Sequence, residues 1–349
     1  MPTFLLYGAN GYTGQLIARE SVVRGQRPVL AGRNTETVNA LARQLGLESR
    51  IFSLNDAAAT RAALDGMTAV LHCAGPFAHT ARPMIDACLE ARVHYLDITG
   101  EISVFEMAAA RDTEAMAAGI MLLPGAGFDV VPSDCLALHL HRRLPTATHL
   151  ALGFHGVGRF SRGTATTIVE NLHGGGVIRR GGVLTSVPSA WRMRDIDFGE
   201  GTRLAVSIPW GDVSTAYRST GIGDIEVYTA TSRGQLRLMR LSRHLGWLLR
   251  SSFVQRFLKR RIQAGPAGPT DEERAKGRTL LWGEVSDHEG RRAVSRLRGP
   301  EGYTFTMLTA LAAMTRVLAG DAPPGYQTPS LAYGADFVLA VSGVERTDK

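Results

Sequence analysis

Apolar and polar positions along the first 140 residues follow two alternating rhythms. Short apolar runs fall at residues 3–7, 27–33, 51–54, 69–75, 93–99 and 120–123, and read as buried strands. Between them, residues 15–24, 34–46, 58–64 and 83–91 carry apolar positions at helical spacing. A further helix, capped by Ser103, is predicted to run to Gly119, and another containing Leu136, Leu138 and Leu140 follows the sixth strand. Strands alternating with helices at this spacing predict one doubly wound parallel sheet.

From about residue 145 the rhythm changes. Residues 149–154, 203–208 and 224–230 read as strands between glycine-rich turns, and 278–285 with 292–298 read as a hairpin around His288-Glu289-Gly290. Residues 164–173 and 303–318 read as helices, and the Gly/Pro-rich stretch 264–269 as a flexible linker. The expected fold class is α/β: an N-terminal Rossmann-type doubly wound parallel sheet, then a second α+β domain on a mainly antiparallel sheet. The expected boundaries are 1–140 for the parallel-sheet domain and 141–320 for the α+β domain. A C-terminal segment, 321–349, is expected to pack back on the first domain.

The first turn gives the parallel sheet its expected chemistry. Gly8-Ala9-Asn10-Gly11-Tyr12-Thr13-Gly14 joins the first strand to the first helix with glycines spaced G-x-x-G-x-x-G. Such a turn lets the backbone approach a diphosphate, while the amides that open the helix favour negative charge. Gly8 suits the tight turn, Gly11 the approach to the diphosphate, and Gly14 the contact between helix and sheet. At the end of the second strand an NAD enzyme usually places an acid for the ribose 2′-OH. Here the chain has Gly32-Arg33-Asn34, and a guanidinium suits a 2′-phosphate, so the expected cofactor is NADP(H). The loop Ala74-Gly75-Pro76-Phe77 leaves the fourth strand, where the nicotinamide side of the crevice should lie; Thr99-Gly100 and Phe128 leave the fifth and sixth.

Composition narrows the picture further. The 349 residues suffice for two domains, and no apolar run is long enough to span a bilayer. No secretory leader is expected, since the chain runs straight into a strand. Cys73, Cys88 and Cys135 form no C-x-x-C pair and suit buried thiols in a reducing cytoplasm. The formal charge of +7 is local: residues 232–263 hold nine Arg or Lys and no acid, leaving −2 for the remainder. Within that stretch Leu238, Leu241, Leu245, Leu248, Leu249, Phe253 and Phe257 follow helical spacing. It reads either as a core-packing helix with a solvated basic face or as a docking surface for an acidic carrier protein or an anionic membrane surface. No nucleic-acid recognition motif accompanies it. The only lysines are Lys259, Lys276 and Lys349, so no Tyr-x-x-x-Lys pair can be drawn and a Schiff-base lysine is not expected.

Several stretches together resemble the saccharopine dehydrogenase-like oxidoreductase family, most nearly its trans-acting enoyl reductase branch. They are the turn 8–14, Ala31-Gly32-Arg33, Ala74-Gly75-Pro76-Phe77, Tyr95-Leu96-Asp97-Ile98-Thr99-Gly100-Glu101 and Gly127-Phe128-Asp129-Val130-Val131-Pro132-Ser133-Asp134. The resemblance covers about the first 140 residues and returns weakly at 325–329 and 334–337. It implies an NADP domain, an appended domain that often mediates homodimerisation, and hydride transfer at their junction. Saccharopine-forming members need basic groups for three carboxylates. Here the loops carry Phe77, Phe128, Val130 and Val131, which favours an apolar acyl substrate, small or carrier-bound.

The expected reaction is therefore NADPH-dependent reduction of an enoyl C=C, with a C=O or C=N acceptor as alternative. A non-catalytic NADP-binding adaptor at a membrane is the other reading. Candidate proton donors are Asp129, Glu101, His79 and Asp97, all near strand ends. Asp129 and Asp134 could equally cap the following helix, and Glu101 the helix after it. Tyr12 sits beside the diphosphate turn and suits a cofactor contact. No metal site is expected: H-E-x-x-H is absent, and His139 and His141 diverge on a helix.

Overall fold

The computed structural model describes residues 2–156, 158–171, 175–242 and 251–349. The chain divides into two compact units. The first comprises the residues up to Val131 together with Tyr303–Ala332; the second comprises Pro132–Gly302 and Tyr333–Lys349.

The first unit is built on β1 (Phe4–Tyr7), β2 (Val29–Gly32), β3 (Ser49–Ile51), β4 (Ala69–His72), β5 (His94–Asp97), β6 (Met121–Leu123) and β15 (Gly325–Tyr326). Their order is β15-β6-β5-β4-β1-β2-β3, with every pairing parallel. Every residue of β1, β2, β4 and β6 is buried, as a sheet covered on both faces requires. The order reverses between β1 and β4, so the crevice beyond their carboxyl ends is the switch point where doubly wound sheets bind ligands. The helices leaving this edge are α1 (Tyr12–Val23), α2 (Thr35–Leu45), α3 (Ala57–Ala62), α4 (Phe77–Ala91) and α5 (Ile102–Ala109). α6 (Asp112–Ala118) follows α5 and leads into β6.

Three local expectations are corrected here. α4 begins at Phe77, six residues before the expected start, and carries Pro83 within it. Loop-like residues at 76–79 masked its first turn. The helix expected over 103–119 is two: α5 starts from Glu101 as N-cap rather than Ser103, and the chain breaks before α6. β3 pairs with β2 through Ser49–Ile51, while the apolar Phe52 and Leu54 that suggested a later strand are buried in the following loop.

The second unit continues through α7 (Val131–Arg143), β7 (His149–His155), α8 (Arg162–Asn171), β8 (Gly176–Arg180), β9 (Val183–Val187), β10 (Met193–Asp197) and β11 (Thr202–Ser207). Then come α9 (Asp212–Thr220), β12 (Asp224–Ala230), α10 (Arg233–Ser242), α11 (Ser252–Ala264), α12 (Asp271–Lys276), β13 (Arg278–Ser286) and β14 (Arg292–Pro300). α13 (Gly302–Leu318), β15 and α14 (Pro329–Tyr333) precede the last strand, β16 (Glu345–Asp348). The sheet order is β10-β11-β12-β7-β13-β14-β16, with β8 and β9 attached beside β12. Only β12–β7 is parallel. The leucines of α7 settle on Gly283 of β13, where a Cβ would lie 2.5 Å from Leu140 and 3.2 Å from Leu136.

Boundaries shift accordingly. α13, expected in the second domain, belongs to the first unit from Tyr303 onward. The C-terminal segment is shared: β15 extends the parallel sheet, whereas β16 pairs with β14. The Gly/Pro stretch at 264–269 does not link domains. It lies inside the second unit, where Arg162 donates through its amide to Ala267 and through its guanidinium to Gly265. Residues 172–173 of the predicted helix 164–173 lie outside the described residues, as does 243–250 of the basic stretch, with Leu245, Leu248 and Leu249.

Candidate functional site

At the end of β1 the chain reverses over β2. The amides of Gly8 and Ala9 both donate to the Ala31 carbonyl, at 2.8 and 3.1 Å, and the Gly11 amide donates back to the Gly8 carbonyl at 3.0 Å. Gly8 has φ +82°, and a Cβ there would sit 2.8 Å from the backbone of Cys73 and Ala74. A Cβ on Gly14 would lie 2.3 Å from the Gly8 carbonyl oxygen. Gly14 is therefore demanded by packing within the turn itself, and Gly8 by its positive φ and the loop after β4. Gly11 is the N-cap of α1; it offers no side chain, and the first turn of α1 contains no acid. The amides of Thr13 and Gly14 have no acceptor among the described residues. A helix start of this kind, shaped by glycine at the switch point, fits a diphosphate.

The flanking residues frame it. Asn10 donates to the Thr37 hydroxyl at 3.1 Å, and Gln15 holds the Asn10 carbonyl at 3.0 Å. Asn34 caps α2 by accepting from the Thr37 amide at 3.0 Å, so its side chain is committed to the helix. Gly32 is buried, with a would-be Cβ 3.2 Å from the Asn10 side chain, while Arg33 is exposed beside the turn. Its guanidinium acts on the nearby Tyr7 phenol, opposing the rise in pKa that burial gives that group.

Across the switch point, Ala74, Gly75, Pro76 and Phe77 lead into α4, with a cis bond between Gly75 and Pro76. Here the amides that open the helix are taken. Glu101 accepts from Phe77 and Ala78 at 2.8 and 2.9 Å, one amide to each carboxylate oxygen. Glu101 is thus an anion closing a helix start, which a proton donor could not remain. Asp97 is fully buried and accepts from the Tyr95 hydroxyl at 2.6 Å and from the amides of Thr99 and Gly125 at 2.9 and 2.8 Å. Burial still pushes its carboxyl up to about 6. These bonds make Asp97 the rivet between the loops leaving β5 and β6. The Thr99 hydroxyl accepts from the Glu101 amide, which links the two carboxylates' loops.

Asp129 lies against Gly100, whose Cβ would come within 2.9 Å of the Asp129 carboxylate. Burial pushes its carboxyl up to about 6. His79 is exposed in the first turn of α4. Phe77 and Phe128 are buried within this unit: Phe77 stands edge-on to His72 at 5.3 Å, and Phe128 faces Phe305 at 5.9 Å. Val130 and Val131 are fully buried too. The apolar character read from these loops is therefore buried in this structure rather than presented to solvent.

Two contributors were not read from the sequence. His72, at the end of β4, is fully buried, and burial pushes its imidazole down to about 3. Its Nε2 lies 3.0 Å from the Thr80 hydroxyl, which donates to the Ala74 carbonyl at 2.7 Å. His72 therefore donates from Nε2 and braces the loop under Gly8. Its place within the fourth apolar run hid this role. α13 supplies the other: Thr306 accepts from the Phe128 amide at 3.1 Å, Thr309 donates to the Ala126 carbonyl at 2.9 Å, and the Tyr303 ring meets Tyr12 edge-on at 5.0 Å. Nothing in a helical pattern at residue 303 signals which sheet it joins. Among the described residues no group of His, Cys, Asp or Glu could hold a metal, and no helix is long and apolar enough to cross a membrane.

Strand order, glycine turn and switch point define this unit as a dinucleotide-binding domain of Rossmann type. Residues 4–123 match the family described as "Saccharopine dehydrogenase NADP binding domain", so this part of the chain is an NADP-binding domain of the saccharopine dehydrogenase kind. Over 147 residues the chain is 32% identical to the trans-acting enoyl reductase of Mycobacterium tuberculosis, covering 40% of this chain and 35% of that protein. Over 160 residues it is 30% identical to the saccharopine dehydrogenase-like oxidoreductase of Mus musculus, covering 40% and 37%. The match spans about a third of the length of these curated relatives. The solved saccharopine dehydrogenase (L-Glu forming) of Saccharomyces cerevisiae superposes over 100% of both chains with a TM-score of 0.67 at 12% identity, which shows a shared fold.

Proposed function

We propose that the chain is an NADPH-dependent reductase whose acceptor is an enoyl C=C in an acyl substrate, small or carrier-bound. The observation that carries the reading is the open, glycine-shaped start of α1 at the switch point, with Arg33 where an NAD enzyme keeps an acid. When bound, NADPH supplies the hydride. The chain's part is to hold and orient: the amides of Thr13 and Gly14 grip the diphosphate, and Arg33 pairs with the 2′-phosphate. Asp129 is the carboxyl to hold the proton: it lies against Gly100 at the exit of β5, and burial pushes its carboxyl up to about 6. The enoyl acceptor is supported by the relatives that match 40% of this chain and are named trans-acting enoyl reductases.

The test has two stages. Fluorescence titration should give tighter binding of NADPH than of NADH by tenfold or more; equal binding, or none, overturns the cofactor reading. NADPH oxidation is then followed with 2-enoyl thioesters beside 3-ketoacyl thioesters and a preformed imine. Turnover confined to the ketone or imine would leave the cofactor site standing and discard the C=C acceptor. In Asp129→Asn, kcat should fall at least 100-fold with NADPH affinity unchanged; an unaltered kcat removes Asp129 from the chemistry.

A further inference from the structure

The helix α11 has two unlike faces. At 3.6 residues per turn, Phe253, Arg256, Phe257, Arg260, Arg261 and Ala264 share an arc of about 140°, and all six are exposed. Phe253 is 72% exposed and Phe257 55%, the former among the most exposed large apolar side chains of the described residues. Val254, Gln255, Leu258, Lys259 and Ile262 occupy the remaining arc and are half-buried. That inner face is tied to α8: Gln255 donates to the Val169 carbonyl at 3.0 Å, and Lys259 pairs with Glu170 at 2.5 Å.

The contrast between the cations is the informative part. The lysine, on the inner face, has a carboxylate. Arg256, Arg260 and Arg261 have no ion pair among the described residues, and residues 232–263 contain no acid that could provide one. The helix was thus docked through its polar and aliphatic side, leaving two phenyl rings interleaved with three uncompensated guanidinium groups in water. A helix kept only for core packing would turn the rings inward. Rings that insert to a shallow depth, with arginines at the level of the headgroup phosphates, are the makeup of a helix lying in a membrane interface.

We infer that the outer face of α11 is a docking surface for an anionic lipid bilayer. An acidic protein would satisfy the arginines, but not two rings standing clear of the surface one turn apart. The inference is independent of the cofactor reading: it concerns the second unit and would hold for an enzyme or an adaptor.

Flotation of the full chain with vesicles tests it. Vesicles of phosphatidylcholine with about 30% phosphatidylglycerol, which gives them an anionic surface, should carry the protein, and pure phosphatidylcholine should not. Arg256→Gln/Arg260→Gln/Arg261→Gln should weaken partitioning ~100-fold, at about fivefold per lost cation. Phe253→Ala/Phe257→Ala should weaken it roughly tenfold. The triple lysine variant, which keeps charge, should retain binding, and Lys259→Gln should stay within about twofold. Circular dichroism melts of each variant separate lost binding from lost folding. Equal flotation with neutral and anionic vesicles, or a loss in Lys259→Gln equal to that of the arginine variant, overturns the assignment. So does capture by an acidic acyl carrier protein with no flotation at all, which would make the face a protein-docking surface.

Discussion

The beginnings of α1 and α4 lie beside each other, after the two strands that flank the switch point, and they are finished in opposite ways. α4 receives an internal anion: the Glu101 carboxylate spans the Phe77 and Ala78 amides. α1 receives none, since its N-cap is Gly11 and its first turn holds no acid. Both starts present the same partial positive charge. Of the two starts that flank the switch point, then, one is filled from within and the other is left to an anion from outside. The difference also reassigns Glu101, which as a candidate proton donor would have to leave the carboxylate state that holds α4.

The largest disturbance of this contrast comes from Gly14→Ala. Its Cβ would strike the Gly8 carbonyl at 2.3 Å, a backbone atom that cannot yield without moving β1. Loss of about 3 kcal/mol or more in urea unfolding is expected, with NADPH binding abolished. Retained NADPH affinity would show that the turn does not hold the diphosphate.

Next is pH. Asp97 and Asp129 have carboxyls at about 6 in the fold and at 3.8 when unshifted. Between those values the folded chain holds protons that the unfolded chain has released, so stability falls as pH rises from about 4 to about 6 and is level above. For buried Asp97 the effect is about 3 kcal/mol. Urea melts at pH 4.5 and 7 check it, and Asp97→Asn should flatten the curve; stability rising through that window would contradict the burial argument.

Glu101→Ala removes the anion from α4 and should destabilise by about 2 kcal/mol, because two charge-assisted bonds go while solvent replaces part of them. If Glu101 only anchors, kcat falls no more than its effect on NADPH affinity explains. A loss of kcat 100-fold beyond that would restore it as a donor.

Arg33→Ala probes the other side of α1. NADPH affinity should drop about tenfold with NADH unchanged; a parallel loss of both would mean Arg33 does not read the 2′-phosphate. The smallest effect is Asn34→Ala, which removes the α2 cap and should cost about 1 kcal/mol by thermal melt without touching the NADPH to NADH ratio.

Much of the first unit could be read from the chain because its information is local. A strand, three glycines and a helix within residues 3–24 contain the whole turn, and Gly14 meets the Gly8 carbonyl inside it, although Gly8 itself is pressed by Cys73 and Ala74 after β4. The second unit was less legible. β8, β9 and β10 leave little mark on the sequence, being short, partly exposed strands in which apolar alternation is faint. The catalytic candidates were legible only as a list: Asp97, Glu101 and Asp129 are alike in sequence, all acids at strand exits. Their duties diverge through what folding brings against them: Glu101 takes the Phe77 and Ala78 amides, Asp97 the Gly125 amide, and Asp129 packs against Gly100.

By itself, the sequence determined the parallel sheet, the glycine turn, the choice of Arg33 over an acid and the amphipathic pattern that includes α11. Each is set within one or two turns of chain, where periodicity and backbone freedom act directly. Tertiary structure alone decided that α13 braces the loop after β6, that His72 sits neutral under Ala74, that Phe77 and Phe128 are core, and that α11 turns its phenyl rings outward. Those outcomes depend on which surfaces meet after folding, and burial, desolvation and hydrogen-bond partners are properties of that meeting.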